Sequence, residues 1–152
     1  MNKVEQIFQR ANLKSTSSRH EVLNVLLNTK NPLTHQEILK SLSLNFDRVT
    51  LYRVLDWLLK NKLIHKIAGA DRSWRFQFNQ DVNNLLRDSQ IKSNFKYIKP
   101  QPHTHAHFQC THCGKVFCLE NIYPKLTNRV PVDFLVDSIE LNITGICKTC
   151  QS

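Results

Sequence analysis

No stretch of this sequence approaches the roughly 20 consecutive apolar residues that a membrane-spanning helix requires. The first fifteen residues, MNKVEQIFQRANLKS, lack the apolar core of a secretory signal. A cytoplasmic chain with no membrane partner is expected. Acidic residues are scarce, 12 against 21 Lys and Arg, which leaves a formal charge of +9. That excess favours a polyanionic partner, a nucleic acid or an anionic surface. Apart from two Cys-x2-Cys pairs there is no internal repeat. The cysteines number five, an odd count that excludes full disulfide pairing within one chain. In a reducing compartment they read as metal ligands or free thiols. Finally, residues 103–118 (HTHAHFQCTHCGKVFC) contain no carboxylate. A hydrolytic metal centre needs a nearby general base, so no enzyme activity and no small-molecule substrate are expected.

What is present is enough for a packed core, since 41% of the 152 residues are hydrophobic, and that length suits one ordinary domain or two small ones. Val4, Ile7, Phe8 and Ala11 recur at helical spacing. Ser17 and Ser18 are candidate caps for a second helix with Val22, Leu23, Leu26 and Leu27 as its stripe. Thr34 and Glu37 form a capping-box pattern that opens a third helix through Ile38, Leu39 and Leu42. Asp47 caps a fourth, RVTLYRVLDWLLKN, whose apolar face is Leu51, Val54, Leu55 and Leu58; Thr50, Arg53 and Trp57 fall on the opposite face. LIHKI and SWRFQF then read as two strands joined by AGADR. Helices followed by a hairpin in a basic segment outline a winged helix-turn-helix. Residues 79–102 are polar and end in prolines, a linker with a short helix near Val82 to Leu86. Beyond it, HAHFQC and KVFCLE read as strands turning at Gly114, 122–130 as a helix, and FLVDSIELNITGIC as a long strand. The expected organisation is α+β: a winged helix-turn-helix DNA-binding domain (1–78), a hinge (79–102) and a small C-terminal α/β dimerisation domain (103–152) carrying a four-cysteine zinc site.

Cys110-x2-Cys113 and Cys147-x2-Cys150 are two half-sites for tetrahedral zinc, because a two-residue spacing lets both sulfurs face one ion from a tight turn. Four thiolates leave no open position, so that site is read as structural. His103, His105 and His107 alternate and share one face of an extended segment. Cys118, on the returning strand, is a candidate fourth ligand beside them. Imidazole suits Zn2+ and Fe2+ alike, and a thiolate tilts the preference towards zinc. His112 is read as solvent-facing; His20 and His35 carry no comparable signal.

NLKSTSSR, RVTLYRVLDWLLKNKLIHKI, HAHFQCTHCGK and CKTC together resemble the ferric uptake regulator (Fur) family of bacterial metal-dependent repressors, over most of the chain. The segment LYRVLDWLLKNKLIHKI is most similar to the zinc uptake regulator branch. That resemblance implies His65 and His103 as regulatory metal ligands. In the branch, a cysteine stands where Phe76 or Gln77 stands here, and an acidic ligand where Cys118 stands. A histidine of the wider family corresponds to Asp137. The resemblance further implies a homodimer that represses metal-uptake genes from AT-rich, palindromic double-stranded DNA operators. Zinc is the expected effector; an iron- or peroxide-responsive regulator (Fe2+) is the alternative within the family, and a zinc-binding interaction module without DNA affinity the rival outside it. Lys14, Thr16, Arg19, Thr50, Tyr52 and Arg53 are the expected DNA-contact residues.

Overall fold

The computed structural model describes residues 2–80, 82, 105–136 and 139–151. Most of the expected linker, the rest of its short helix, His103 and Asp137 lie outside the described residues. The chain divides into two compact units, Met1–Ile98 and Lys99–Ser152.

The first unit opens with α1 (Lys3–Arg10), whose capping box joins Asn2 and Glu5 and whose Val4, Ile7 and Phe8 are buried. Helix α2 (Ser17–Leu27) is capped not by Ser17 or Ser18 but by Thr16, whose hydroxyl accepts the Arg19 N–H at 3.3 Å. The cap falls there because Thr16 is the last extended residue (φ −129°, ψ 159°), and its side chain reaches the amide three residues on. A two-residue strand, β1 (Leu33–Thr34), precedes α3 (His35–Ser41), where Thr34 and Glu37 form the expected capping box. After a turn comes α4 (Arg48–Lys60), capped by Asp47, with Leu51, Val54, Leu55 and Leu58 all buried. Helices α3 and α4 are the helix-turn-helix.

The wing follows. Strand β2 (Ile64–Ala68) pairs antiparallel with β3 (Trp74–Phe78), from Ile64 opposite Phe78 to Ala68 opposite Trp74. β1 adds to the far edge of β3, a third strand that is too short to show a period in sequence. At the tip, both oxygens of Asp71 accept from the Arg75 guanidinium, at 2.9 and 2.8 Å. One apolar cluster joins the three layers: α1 and α2 through Phe8 and Leu26, α4 through Leu55 and Leu58, and the wing through Ile64, Phe76 and Phe78. Val82 closes it.

The second unit is a three-stranded sheet in the order β5-β4-β6. β4 (Ala106–Cys110) pairs antiparallel with β5 (Val116–Leu119) and parallel with β6 (Asn142–Gly145). Gly114 makes the β4–β5 turn in the left-handed region, φ 72°. Gly145 matters for another reason: a Cβ there would meet the Phe108 ring at 3.1 Å. A short 3-10 helix, Lys148–Gln151, ends the unit.

Two expectations fail here. Residues 122–130 are coil with a bend at 127–128, not a helix. Pro124 biases Tyr123 away from helical geometry, and Ile122, Tyr123 and Leu126 are exposed. A short helix without a packed face has little to hold it. Among the described residues, the expected long strand is present only as Asn142–Gly145, where β4 offers ladder partners from His107 to Cys110. Phe134, Leu135 and Val136 stand exposed instead.

Candidate metal sites and nucleic-acid interface

The parallel pairing of Cys110 with Gly145 brings the two Cys-x2-Cys turns to one end of the sheet. Cys110 ends β4, Cys113 sits in the turn, Cys147 follows β6 and Cys150 lies in the 3-10 helix. All four sulfurs lie within 4.8 Å of one another, and those of Cys113 and Cys147 are 3.9 Å apart. A tetrahedral ion with bonds of about 2.3 Å has sulfur–sulfur edges of roughly 3.8 Å, so the cluster fits zinc. Cys110 is prepared for ionisation. Its sulfur accepts the backbone N–H groups of Cys113 (3.5 Å) and Cys147 (3.3 Å), which pull its pKa down to about 6. Cys150, hydrogen-bonded to Cys147, is pushed up to about 12.

A second donor group lies along β4 and β5. His107 stands directly opposite Cys118, and its ring centroid is 4.8 Å from that of His105. The donor atoms of His105, His107 and Cys118 fall within 4.8 Å of one another. Tetrahedral nitrogen–sulfur edges are roughly 3.5 Å for zinc, so this trio also fits an ion. Burial, helped by His105, lowers the His107 pKa to about 4, which keeps the imidazole in its neutral, ligating form. Burial together with the nearby Glu120 carboxylate raises Cys118 to about 12. Only an added positive charge makes that thiol a good ligand. His112 is exposed, as expected.

In the first unit, His65 lies on β2 opposite Gln77, with its Nδ1 2.6 Å from the Asn79 carboxamide oxygen. Neither residue at the wing position discussed above is placed to replace a cysteine ligand. Phe76 is in the apolar cluster, and Gln77 is buried with its Nε2 donating to the Lys30 carbonyl at 2.9 Å.

The outer face of α4 exposes Val49, Tyr52 and Arg53. Tyr52 packs at a tilt against His35, centroids 4.4 Å apart, and His35 in turn meets the Phe76 ring edge-on at 4.6 Å. Thr50 differs: its hydroxyl donates to Asp47 at 2.6 Å and serves the helix cap. Lys14 and Thr16 are exposed. Arg19 lies over the Trp57 ring, 3.7 Å from its centroid, and donates to the Lys14 carbonyl at 2.9 Å. Trp57 therefore does not stand on an open face. It is half-buried, tilted against Phe8 of α1 at 6.2 Å. Helical spacing alone misses this because α1 covers that flank of α4. His35 and Trp57, which hold Tyr52 and Arg19, went unassigned in sequence; an aromatic on an otherwise polar helix face was the available signal.

The model of the ferric uptake regulator family matches residues 10–86, just over half of the chain. The chain belongs to that family. As a Fur-family protein it is a metal-responsive, DNA-binding transcription regulator and not an enzyme. Solved structures share the fold throughout. The Helicobacter pylori ferric uptake regulator, a structure with three functional metal binding sites, is 20% identical with a TM-score of 0.60, covering 99% of this chain and 95% of its own. A zinc uptake regulator complexed with zinc and DNA is 21% identical with a TM-score of 0.62, covering 97% and 89%. The Vibrio cholerae ferric uptake regulator is 20% identical with a TM-score of 0.57, covering 94% and 98%. No curated protein sequence matches the chain. The winged helix-turn-helix of the first unit and the four-cysteine cluster of the second are thus parts of a Fur-like fold. Among the described residues, no helix is long and apolar enough to cross a membrane.

Proposed function

We propose that this Fur-family chain is a zinc-responsive repressor of metal-uptake genes, acting in the cytoplasm as a homodimer on palindromic operator DNA. The observation that carries the zinc reading is the mixed donor set of His105, His107 and Cys118, in which a thiol joins two imidazoles within ligating reach. Soft thiolate favours zinc, whereas an iron site would be expected to use harder oxygen ligands. Cys110, Cys113, Cys147 and Cys150 would hold the structural zinc. His105, His107 and Cys118 would hold the regulatory ion, with His65 and His103 joining the set on the strength of the family resemblance alone. A bound cation supplies the positive charge that stabilises the Cys118 thiolate.

The domain assignment is part of the proposal: 1–78 binds DNA, 79–102 is the hinge, and 103–152 binds metal and dimerises. A partner copy is supported by the apolar residues that the second unit leaves exposed, Ile122, Tyr123, Leu126, Val132, Phe134 and Leu135. A twofold dimer would present α4 to two half-sites one helical turn apart. There Arg53 and Lys14 meet phosphates or groove edges, Tyr52 packs on a thymine methyl, Thr16 caps α2, and Thr50 braces the Asp47 cap of α4. Arg19 reaches DNA from its platform on Trp57. Coupling of about 1–3 kcal/mol between metal and DNA would change affinity roughly 5- to 150-fold.

Cobalt substitution tests the ligand set, since a Co2+–thiolate bond gives a charge-transfer band. Cys118→Ser should weaken that band while the contribution of the four-cysteine site persists. An unchanged spectrum would remove Cys118 from the site and the zinc preference with it.

A further inference from the structure

Asn79, the first residue after β3, belongs to neither metal cluster, yet its backbone and side chain are both held by hydrogen bonds. Its backbone N–H donates to the Leu63 carbonyl at 2.9 Å. Its side-chain Nδ2 donates to the Lys62 carbonyl at 2.7 Å. Its Oδ1 lies 2.6 Å from His65 Nδ1. The Lys62 bond settles which way the carboxamide faces: a carbonyl only accepts, so the amide nitrogen turns to Lys62 and the oxygen to His65. Flipping the amide would set oxygen against oxygen. An amide oxygen carries no hydrogen, so the hydrogen of the 2.6 Å contact sits on Nδ1. In a neutral imidazole the lone pair is then on Nε2.

We infer that Asn79 is a positioning residue for the metal site: it fixes His65 as the Nδ1–H tautomer and dedicates Nε2 to the regulatory ion. This inference rests on the proposed role of His65 as a ligand. Asn79 does for His65 what a carboxylate or backbone carbonyl does behind many metal-bound histidines, fixing ring orientation and donor atom together. It does so from a place that is itself held. Lys62 is in the left-handed region at φ 59°, in the turn that ends α4, and its N–H donates to the Leu59 carbonyl at 2.9 Å. The ligand's orientation is therefore tied, through one side chain, to the end of the helix that carries Tyr52 and Arg53.

The test uses the full-length protein with its structural zinc retained, its regulatory site emptied of metal and its histidine rings 15N-labelled. Long-range 1H–15N correlation reads the tautomer, and the signal missing from His65→Asn assigns His65. Wild type should show Nδ1–H. Asn79→Asp, which keeps an acceptor while losing the bond to Lys62, should show it too. Asn79→Ala should shift His65 towards Nε2–H and raise the zinc concentration that half-saturates the His65 signal about 10-fold, with Asn79→Asp close to wild type. An Nε2–H tautomer in the wild type overturns the inference without any variant, so a misfolded variant leaves it testable. Equal zinc response in Asn79→Ala and Asn79→Asp overturns it as well. If the tautomer is as described but zinc leaves the wild-type Nε2 resonance unmoved, it is the ligand role of His65 that fails.

Discussion

Replacing Cys147 with serine should unfold the second unit and spare the first. The reason lies in how little apolar material the second unit buries. Its buried apolar residues, among those described, are Ala106, Cys110, Val116 and Cys147, and two of these belong to the four-cysteine cluster. Burying a valine fully contributes about 1.5–3 kcal/mol, and alanine less. The first unit, by contrast, packs seventeen buried residues into one cluster. A structural zinc site contributes about 10–16 kcal/mol of apparent binding free energy at neutral pH. That is as large as the whole net stability of an ordinary domain, about 5–15 kcal/mol. On the proposed reading, metal and a partner copy supply what the core of the second unit lacks. Hydrogen–deuterium exchange on the full chain reads both units at once. In Cys147→Ser, peptides spanning β4, β5 and β6 should exchange at rates near those of an unfolded chain, while α4 and the β2–β3 hairpin keep their protection. Wild-type protection of β4 and β6 in a metal-free Cys147→Ser protein would refute the reasoning.

Further outcomes follow from the two faces of α4, the regulatory donors and the wing. Arg53→Ala should lower operator affinity and reduce the salt slope of binding by about 1, with zinc content unchanged. Leu55→Ala, on the buried face of the same helix, should cost about 2–5 kcal/mol in denaturant unfolding instead. His103→Ala and His65→Ala should each raise the zinc concentration needed for DNA binding while leaving the structural metal in place, read by metal analysis beside DNA titration. At the wing tip, Arg75 holds the Asp71 carboxyl at about 2, below its ordinary 3.8. A depressed carboxyl stabilises the fold when ionised, so its contribution is full above about pH 4 and is lost as pH falls towards 2. Asp71→Asn should remove that part of the acid dependence in pH-resolved thermal unfolding; an unchanged acid profile would mean that the pair contributes nothing.

What was legible in sequence was what neighbouring residues encode. The Thr34–Glu37 box, the Asp47 cap and the buried stripe of α4 are local patterns, and the structure reproduces them. The Cys-x2-Cys spacing likewise encodes two turns that each aim two sulfurs at one point. The misreadings share a different cause. The expected helix over 122–130 rested on apolar residues that have no buried face within the described residues of their own unit. Trp57, expected on the polar face of its helix, is instead covered by α1 from much earlier in the chain. β1 is two residues long and exists only because β3 has a vacant edge. Asn79 read as linker because its partners, Lys62, Leu63 and His65, come to it only when the hairpin closes. His65 itself has no spacing signal and entered through the family resemblance.

The central claim, that zinc sets this regulator's affinity for DNA, is tested most directly by fluorescence anisotropy on a labelled AT-rich palindrome. Metal-stripped regulatory sites, with the structural zinc retained, are titrated separately with zinc and with Fe2+ under anaerobic conditions. The account predicts that zinc tightens binding by roughly 5- to 150-fold, that Fe2+ does so only at much higher concentration, and that Cys118→Ser shifts the zinc response without altering the structural site. Tight binding that is indifferent to zinc, or a stronger response to Fe2+ than to zinc, would contradict it.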